Sequence, residues 1–104
     1  MAEGFLEVVF PIRADFDLDD RDDFEAWIDG LLSRGDWGEV SGAGIGEGVA
    51  SLDLTIFKAE DTDGVIEVLL KLLKDRKAPM STIVYQRAPE QKIYRMEGAD
   101  GILN

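Results

Sequence analysis

Residues 5–13, FLEVVFPIR, alternate between two sides of an extended chain. One of these sides is wholly apolar, which predicts a β-strand with that face in a core. The apolar side consists of Leu6, Val8, Phe10 and Ile12. Pro11 has no N–H to donate to a neighbouring strand, so pairing should end near it.

Residues 49–57, VASLDLTIF, repeat the pattern and predict a second strand with one wholly apolar face. Its apolar side is Ala50, Leu52, Leu54 and Ile56. Two such strands indicate a sheet that buries one face and leaves the other partly polar.

Two amphipathic helices are predicted between and after these strands. Residues 20–34 place an apolar stripe at helical spacing, with Asp residues at the start and Gly35 at the end. The stripe is Phe24, Trp27, Ile28, Leu31 and Leu32. A second helix begins at residues 61–63 and is stopped by Pro79, and its apolar side is Val65, Ile66, Leu69, Leu70, Leu72 and Leu73.

The remaining strands are weaker. Residues 37–44 form a strand rich in glycine, and residues 81–87 form a final short strand. Residues 91–96 either add a fifth short strand or cover an edge of the sheet. We expect one domain over residues 1–97 and a frayed tail over residues 98–104.

The order strand, helix, strand, strand, helix, strand, combined with right-handed crossovers, predicts an α+β fold. It is a βαββαβ plait, a four-stranded antiparallel sheet with two helices on one face. In this arrangement the two strands with an unbroken apolar face are central, and the weaker strands lie at the edges.

Composition excludes several classes of function. The chain has a net charge of −11, which opposes binding to nucleic acid or to an anionic membrane. It contains no Cys and no His, which removes thiolate chemistry and the commonest general base and metal ligand. We expect a cytoplasmic protein that uses no cofactor.

The charge is unevenly distributed. Residues 1–70 hold 18 acidic and 4 basic side chains and carry −14, whereas residues 71–104 hold 4 acidic and 7 basic side chains and carry +3. The acidic part either caps and solvates the first helix or receives a basic protein partner.

An acidic loop, residues 15–23, opens with Asp15, Asp17 and Asp19 at the spacing of a calcium-binding loop. The match then fails, because Asp20 stands where the turn needs glycine and Ala26 stands where a bidentate Glu is required. The sequence therefore predicts no metal site.

Glycine occupies every second position of residues 42–48, GAGIGEG. The spacing fits neither a dinucleotide-binding fingerprint nor a phosphate-binding loop. Alternating glycine strips one face of a strand, so the segment serves either close packing in a hairpin or the approach of a ligand.

The sheet face that the helices leave uncovered is the candidate binding surface. Antiparallel pairing of the two central strands gathers on it Phe5, Glu7, Val9, Asp53, Thr55 and Phe57. Because this face is half apolar, we expect a homodimer that buries it on both subunits. The alternative is an amphipathic face that stays in water.

At the level of fold, residues 5–87 resemble the ferredoxin-like superfamily, which includes amino-acid-sensing ACT domains, dimeric monooxygenases and many small binding modules. ACT domains bind an amino acid at a glycine-containing turn after the first strand, and residues 14–20 contain no glycine. Residues 40–57 also resemble small bacterial immunity or accessory proteins.

Two functions remain in view. The first is a non-enzymatic module that dimerises or holds a protein partner, and the second is a small-molecule sensor or enzyme on the uncovered face. An enzyme would have to use Glu7, Asp53, Tyr85, Arg13 or Lys58, and no recognisable motif places any pair of them. The first function is the prediction, with no catalytic residue assigned.

Overall fold

The computed structural model describes residues 2–96 of the chain. The strands are β1 (Gly4–Pro11), β2 (Gly38–Gly46), β3 (Val49–Ile56), β4 (Ile83–Ala88) and β5 (Lys92–Arg95). The α-helices are α1 (Leu18–Arg34) and α2 (Thr62–Asp75), and a short 3-10 helix, Ala59–Asp61, leads into α2. The predicted tail, residues 98–104, lies outside the described residues.

The sheet is five-stranded, so the prediction of a four-stranded plait is wrong. Its order is β2-β3-β1-β4-β5, and every neighbouring pair is antiparallel. The fifth strand pairs with β4 from Ile83↔Arg95 to Gln86↔Lys92. It satisfies the outer edge of β4, which would otherwise present unpaired backbone groups.

The two strands with an unbroken apolar side lie next to each other inside the sheet. β1 pairs with β3 over its whole length, from Gly4↔Ile56 to Pro11↔Val49. Their apolar side chains are buried as the alternation predicts: Leu6, Val8, Phe10, Ala50, Leu52, Leu54 and Ile56. Ile12, which the alternation also places in the core, lies beyond the end of β1 and is half-buried.

Both helices contribute to one core cluster with this side of the sheet. The buried helical residues are Phe24, Ile28 and Leu32 of α1 and Val65, Ile66, Leu69 and Leu73 of α2. Trp27, Leu31 and Leu72, which the helical spacing also places in the core, are half-buried at its margin. The Arg76 guanidinium lies 4.3 Å from the Trp27 ring centroid. This contact links the end of α2 to α1.

Helix α1 begins two residues earlier than its apolar stripe predicts, because Asp17 caps it. The Asp17 carboxylate accepts a hydrogen bond from the Asp20 N–H, and the Asp20 carboxylate accepts one from the Asp17 N–H at 2.9 Å. This reciprocal capping box satisfies two N–H groups that the first turn leaves free.

The acidic loop before α1 carries a core residue that the sequence pattern does not reveal. The Phe16 side chain is buried, and its ring centroid lies 5.2 Å from that of Phe10 and 5.9 Å from that of Phe24. The loop is held in place by paired backbone hydrogen bonds between Arg13 and Phe16. The aspartates of the loop therefore lie on a segment that the buried Phe16 side chain fixes to the core.

Strand β2 needs glycine at one of its ends. A Cβ atom on Gly38 would collide with the carbonyl oxygen of Thr55, so only glycine fits there. Beyond it, the pairing with β3 slips by one residue between Val40 and Gly42. A tight turn at Glu47 and Gly48, both with positive φ, closes the hairpin into β3.

Candidate functional site

The sheet has one face that neither helix covers, and we call it the open face. It is formed by the residues that alternate with the buried ones along each strand. All six residues of the predicted binding surface belong to it. Phe5 pairs with Thr55, Glu7 pairs with Asp53, and Val9 pairs with Ser51 across β1 and β3. Phe57 follows β3 directly and continues its alternation.

The structure adds residues that the sequence pattern does not assign to this face. Strands β4 and β5 contribute Ile83, Tyr85, Arg87, Ile93 and Arg95, and β2 contributes Glu39, Gly42, Gly44 and Gly46. The alternation of Ile83 and Tyr85 in residues 81–87 indicates that they share a side. What the sequence lacks is a register to place that side beside Glu7 and Val9.

Large apolar side chains are exposed across the open face. Phe5, Phe57, Val49 and Ile93 expose 42%, 40%, 37% and 55% of their surface. Val9, Ile83 and Tyr85 between them are half-buried. Exposed apolar side chains gathered on one face form a patch of the kind that is typical of interaction surfaces.

An ion pair lies at the centre of this patch. The Arg87 Nη2 atom donates to Glu7 Oε1 at 2.6 Å, and its guanidinium carbon lies 4.8 Å from the Tyr85 ring centroid. Arg87 is the extra residue where the pairing of β1 with β4 shifts register, next to Phe5. The register shift places the Arg87 guanidinium beside Glu7 of β1, the middle strand of the sheet.

The polar groups on the β2–β3 side are held within the sheet. Thr55 Oγ1 donates to Ser41 Oγ at 2.9 Å, and Ser41 Oγ donates to the Asp53 carbonyl oxygen at 3.3 Å. The Asp53 carboxylate itself is exposed. This carboxylate is accordingly accessible to a partner.

The carboxylates of Glu7 and Asp53 are cross-strand neighbours, which is the arrangement that an enzyme on this face would need. They do not form a buried pair, because Asp53 is exposed and Glu7 binds Arg87. Arg13 lies beyond β1 and pairs with Asp15 at 2.9 Å. Lys58 lies beyond β3. The structure thus leaves these two cations outside the strands that carry Glu7 and Asp53.

The aspartates of the loop do not converge. Asp15 faces Arg13, and Asp17 and Asp20 cap α1. Within residues 2–96 no three carboxylates lie close enough together to hold a metal ion. These three aspartates therefore act on the chain itself.

The glycines of residues 42–48 divide into two groups. Gly48 has a φ of 80° and forms the turn, whereas Gly42, Gly44 and Gly46 lie on the open face without positive φ. A Cβ on Gly46 would meet no atom within 4 Å, and one on Gly44 would meet Ser51 Oγ at 3.1 Å. Because these three glycines have no side chains, the open face is recessed along β2.

On the other side of β2, helix α1 contacts the same hairpin. Arg21 Nη1 donates to the carbonyl oxygens of Gly44 and Ser51 at 3.1 and 3.2 Å. The Asp29 carboxylate accepts from the Val40 N–H at 3.2 Å. The glycine-rich strand is therefore fixed from the helix side and open on the opposite one.

A shallow depression lies elsewhere, on the outer side of α2, and is lined by Glu67, Leu70, Lys71, Lys74 and Asp75. Two of its charged residues pair with each other, since Lys71 Nζ binds Asp75 at 3.0 Å. It offers no convergent set of polar groups for a ligand.

No family model, curated protein or solved structure matches this chain. Neither the ferredoxin-like resemblance nor the likeness to bacterial immunity proteins gains support from a relative. In the part of the chain that the structure describes, neither helix has the length and apolarity to cross a bilayer.

Proposed function

We propose that this protein is a non-enzymatic interaction module that binds through its open face, and that its first partner is a second copy of itself. The observation that supports this is the apolar patch of Phe5, Val9, Phe57 and Ile93 on a sheet face that the chain's own helices leave bare. Burying apolar surface contributes about 25 cal/mol for each Å² removed from water.

The size of the open face is adequate for a specific dimer. Five strands about 4.8 Å apart and up to about 27 Å long give a face of roughly 500 Å² in projection. Side chains that stand on it raise its accessible area towards the roughly 800 Å² per partner of a standard interface. A second copy can therefore cover the patch fully.

A basic protein partner is the second candidate, and the acidity of the first 70 residues favours it. A small-molecule sensor or an enzyme on the same face is the third, and the adjacency of Glu7 and Asp53 favours that one. Both would leave the face free in the isolated protein, whereas self-association would occupy it.

Cellular location and ancestry are part of the proposal. The cytoplasmic location that the sequence predicts stays part of this proposal. Ferredoxin-like or immunity-protein ancestry is supported only by an α+β fold whose helices share one side of the sheet.

Sedimentation equilibrium at about 0.15 M salt tests the proposal. We expect the wild-type protein to be a dimer and Phe57→Asp to be a folded monomer by circular dichroism. The matched control is Met80→Asp, because Met80 is 55% exposed but lies outside the strands. It should remain dimeric. A wild-type protein that stays monomeric at high micromolar concentration contradicts self-association, and a dimeric Phe57→Asp contradicts the open face as its site.

A further inference from the structure

Charge is segregated across the sheet. The charged residues of β1, β2 and β3 are all acidic, and they are Glu7, Glu39 and Asp53. The charged residues of β4 and β5 are all basic, and they are Arg87, Lys92 and Arg95. Only Lys92 lies on the helix side, since it pairs with the buried Gln86. The open face therefore has an acidic half and a basic half, which meet at the Glu7–Arg87 pair.

The strand registers show which residues of the open face lie side by side across the five strands, and we call each such set a row. One row runs Gly42, Asp53, Glu7, Tyr85, Ile93 from β2 to β5. The next row runs Gly44, Ser51, Val9, Ile83, Arg95. β1 is the middle strand of both rows, so it is the natural line about which two copies are related.

Two sheets that pack face to face keep their strands within about 30° of each other. A two-fold axis between two such copies runs either nearly parallel or nearly perpendicular to the strands. A perpendicular axis places each strand over its own counterpart, so that the acidic strand β3 faces β3 and the basic strand β5 faces β5. A parallel axis exchanges the halves, so that β3 faces β4 and β2 faces β5.

We infer that the two copies are related by a two-fold axis nearly parallel to β1, so that the basic half of each open face binds the acidic half of the other. This inference rests on the proposed function. Arg87 of one copy then lies opposite Thr55 of the other, with Asp53 and Glu39 as its nearest charged neighbours. The arrangement sets the acidic strands β2 and β3 against the basic strands β5 and β4, whereas a perpendicular axis sets acidic strands against acidic ones. Near the parallel axis the two Glu7 residues face each other, and each is already paired with the Arg87 of its own chain.

Shape agrees with charge in this arrangement. The exposed side chains of β5, Ile93 and Arg95, come over β2 of the other copy, where Gly42 and Gly44 present no side chain. The perpendicular axis would instead set the side chains of β5 against those of β5 in the other copy and leave the two glycine-rich β2 strands facing each other. The parallel axis thus fills the space that the glycines leave.

Charge reversal tests the orientation of the axis. We expect Asp53→Arg alone, and Arg87→Asp alone, each to raise the dimer dissociation constant about tenfold, because each places like charges together at two symmetric contacts. The double variant Asp53→Arg/Arg87→Asp restores opposite charges across the interface and should recover most of the wild-type affinity. Within each monomer of the double variant, the guanidinium that Asp53→Arg introduces also lies beside Glu7 and replaces the partner that Arg87→Asp removes.

The matched control is Lys92→Asp, which makes the same charge change on β5 but on the helix side of the sheet. It should leave the dissociation constant near the wild-type value. Weakening by both single variants with recovery in the double variant supports the parallel axis. A wild-type dimer whose single variants bind unchanged, or whose double variant does not recover, overturns the axis and leaves the proposed function standing. A monomeric wild-type protein overturns the proposed function itself.

Discussion

Glu7 and Arg87 form an ion pair of 2.6 Å between β1 and β4, in the centre of the sheet face that the helices leave bare. On its other side Glu7 is the direct cross-strand neighbour of Asp53. A like-charge pair and an opposite-charge pair thus share one carboxylate. The Arg87 guanidinium offsets the repulsion that two adjacent acids would otherwise create.

Substituting Glu7→Gln should change the free energy of unfolding by less than about 1 kcal/mol. The substitution removes the attraction to Arg87, whose side chain is 55% exposed, and it also removes the repulsion from Asp53. Urea unfolding at one protein concentration measures the difference, with Glu3→Gln as the control at an exposed site. A loss above about 2 kcal/mol would mean that solvent screens this pair far less than we argue.

Phe16→Ala should lower the free energy of unfolding by about 3 kcal/mol, because it leaves a cavity beside Phe10 and Phe24. Met80→Ala removes an apolar side chain that is 55% exposed and should cost less than about 1 kcal/mol. Chemical denaturation of the two variants gives the comparison. Equal losses would show that Phe16 does not belong to the core.

Asp17→Ala should cost about 1 kcal/mol, because it breaks the capping box at the start of α1. Asp19→Ala makes the same charge change in the first turn of the helix without a capping hydrogen bond, and should cost about 0.3 kcal/mol. Thermal unfolding followed by circular dichroism separates the two. If both variants lose the same amount, the effect is one of charge and not of capping.

Lowering the salt concentration should weaken the dimer several-fold. Each chain carries −11, and the Debye length grows from about 8 Å at 0.15 M salt to about 30 Å at 0.01 M. The few cross-dimer pairs act at contact, whereas the net repulsion acts over the whole molecule and dominates at low salt.

Sedimentation at the two salt concentrations measures this effect. The double variant Asp19→Asn/Asp23→Asn neutralises two exposed carboxylates of α1 and changes the net charge of the chain from −11 to −9. The dissociation constant of its dimer should therefore vary less with salt concentration. A dimer that tightens as salt is removed would contradict the balance of forces proposed here.

Much of the fold was predictable because its strongest signals are local and periodic. The alternation in residues 5–13 and 49–57 is unbroken on one side, and both segments are strands whose apolar side is buried. The apolar stripes of α1 and α2 follow the helical period, and both helices bury the residues in the middle of their stripes.

The fifth strand was less predictable. Lys92–Arg95 has only four residues, and burial does not alternate clearly along it. Its pairing with β4 is decided by the edge it covers, which is a property of the assembled sheet. The burial of Phe16 is unpredictable for a related reason, because a single apolar residue in an acidic loop belongs to no periodic pattern.

The candidate site was half predictable. Residues on β1 and β3 followed from the pairing of two clear strands, and all six lie on the open face. The basic half on β4 and β5 depends on a register that contains an irregularity next to Phe5, and on a fifth strand that residue pattern alone does not distinguish from an edge-covering segment. Charge segregation therefore became visible only in the structure.

The most direct measurement of the central claim is an isotope-filtered NOE experiment on an equal mixture of labelled and unlabelled chains, which detects contacts between copies alone. We predict intermolecular cross-peaks from the methyl groups of Val9, Thr55 and Ile93 to the aromatic rings of the open face. Cross-peaks confined to Leu18, Met80 or the outer side of α2, or none in a concentrated sample, would contradict the claim that the open face is where this protein binds.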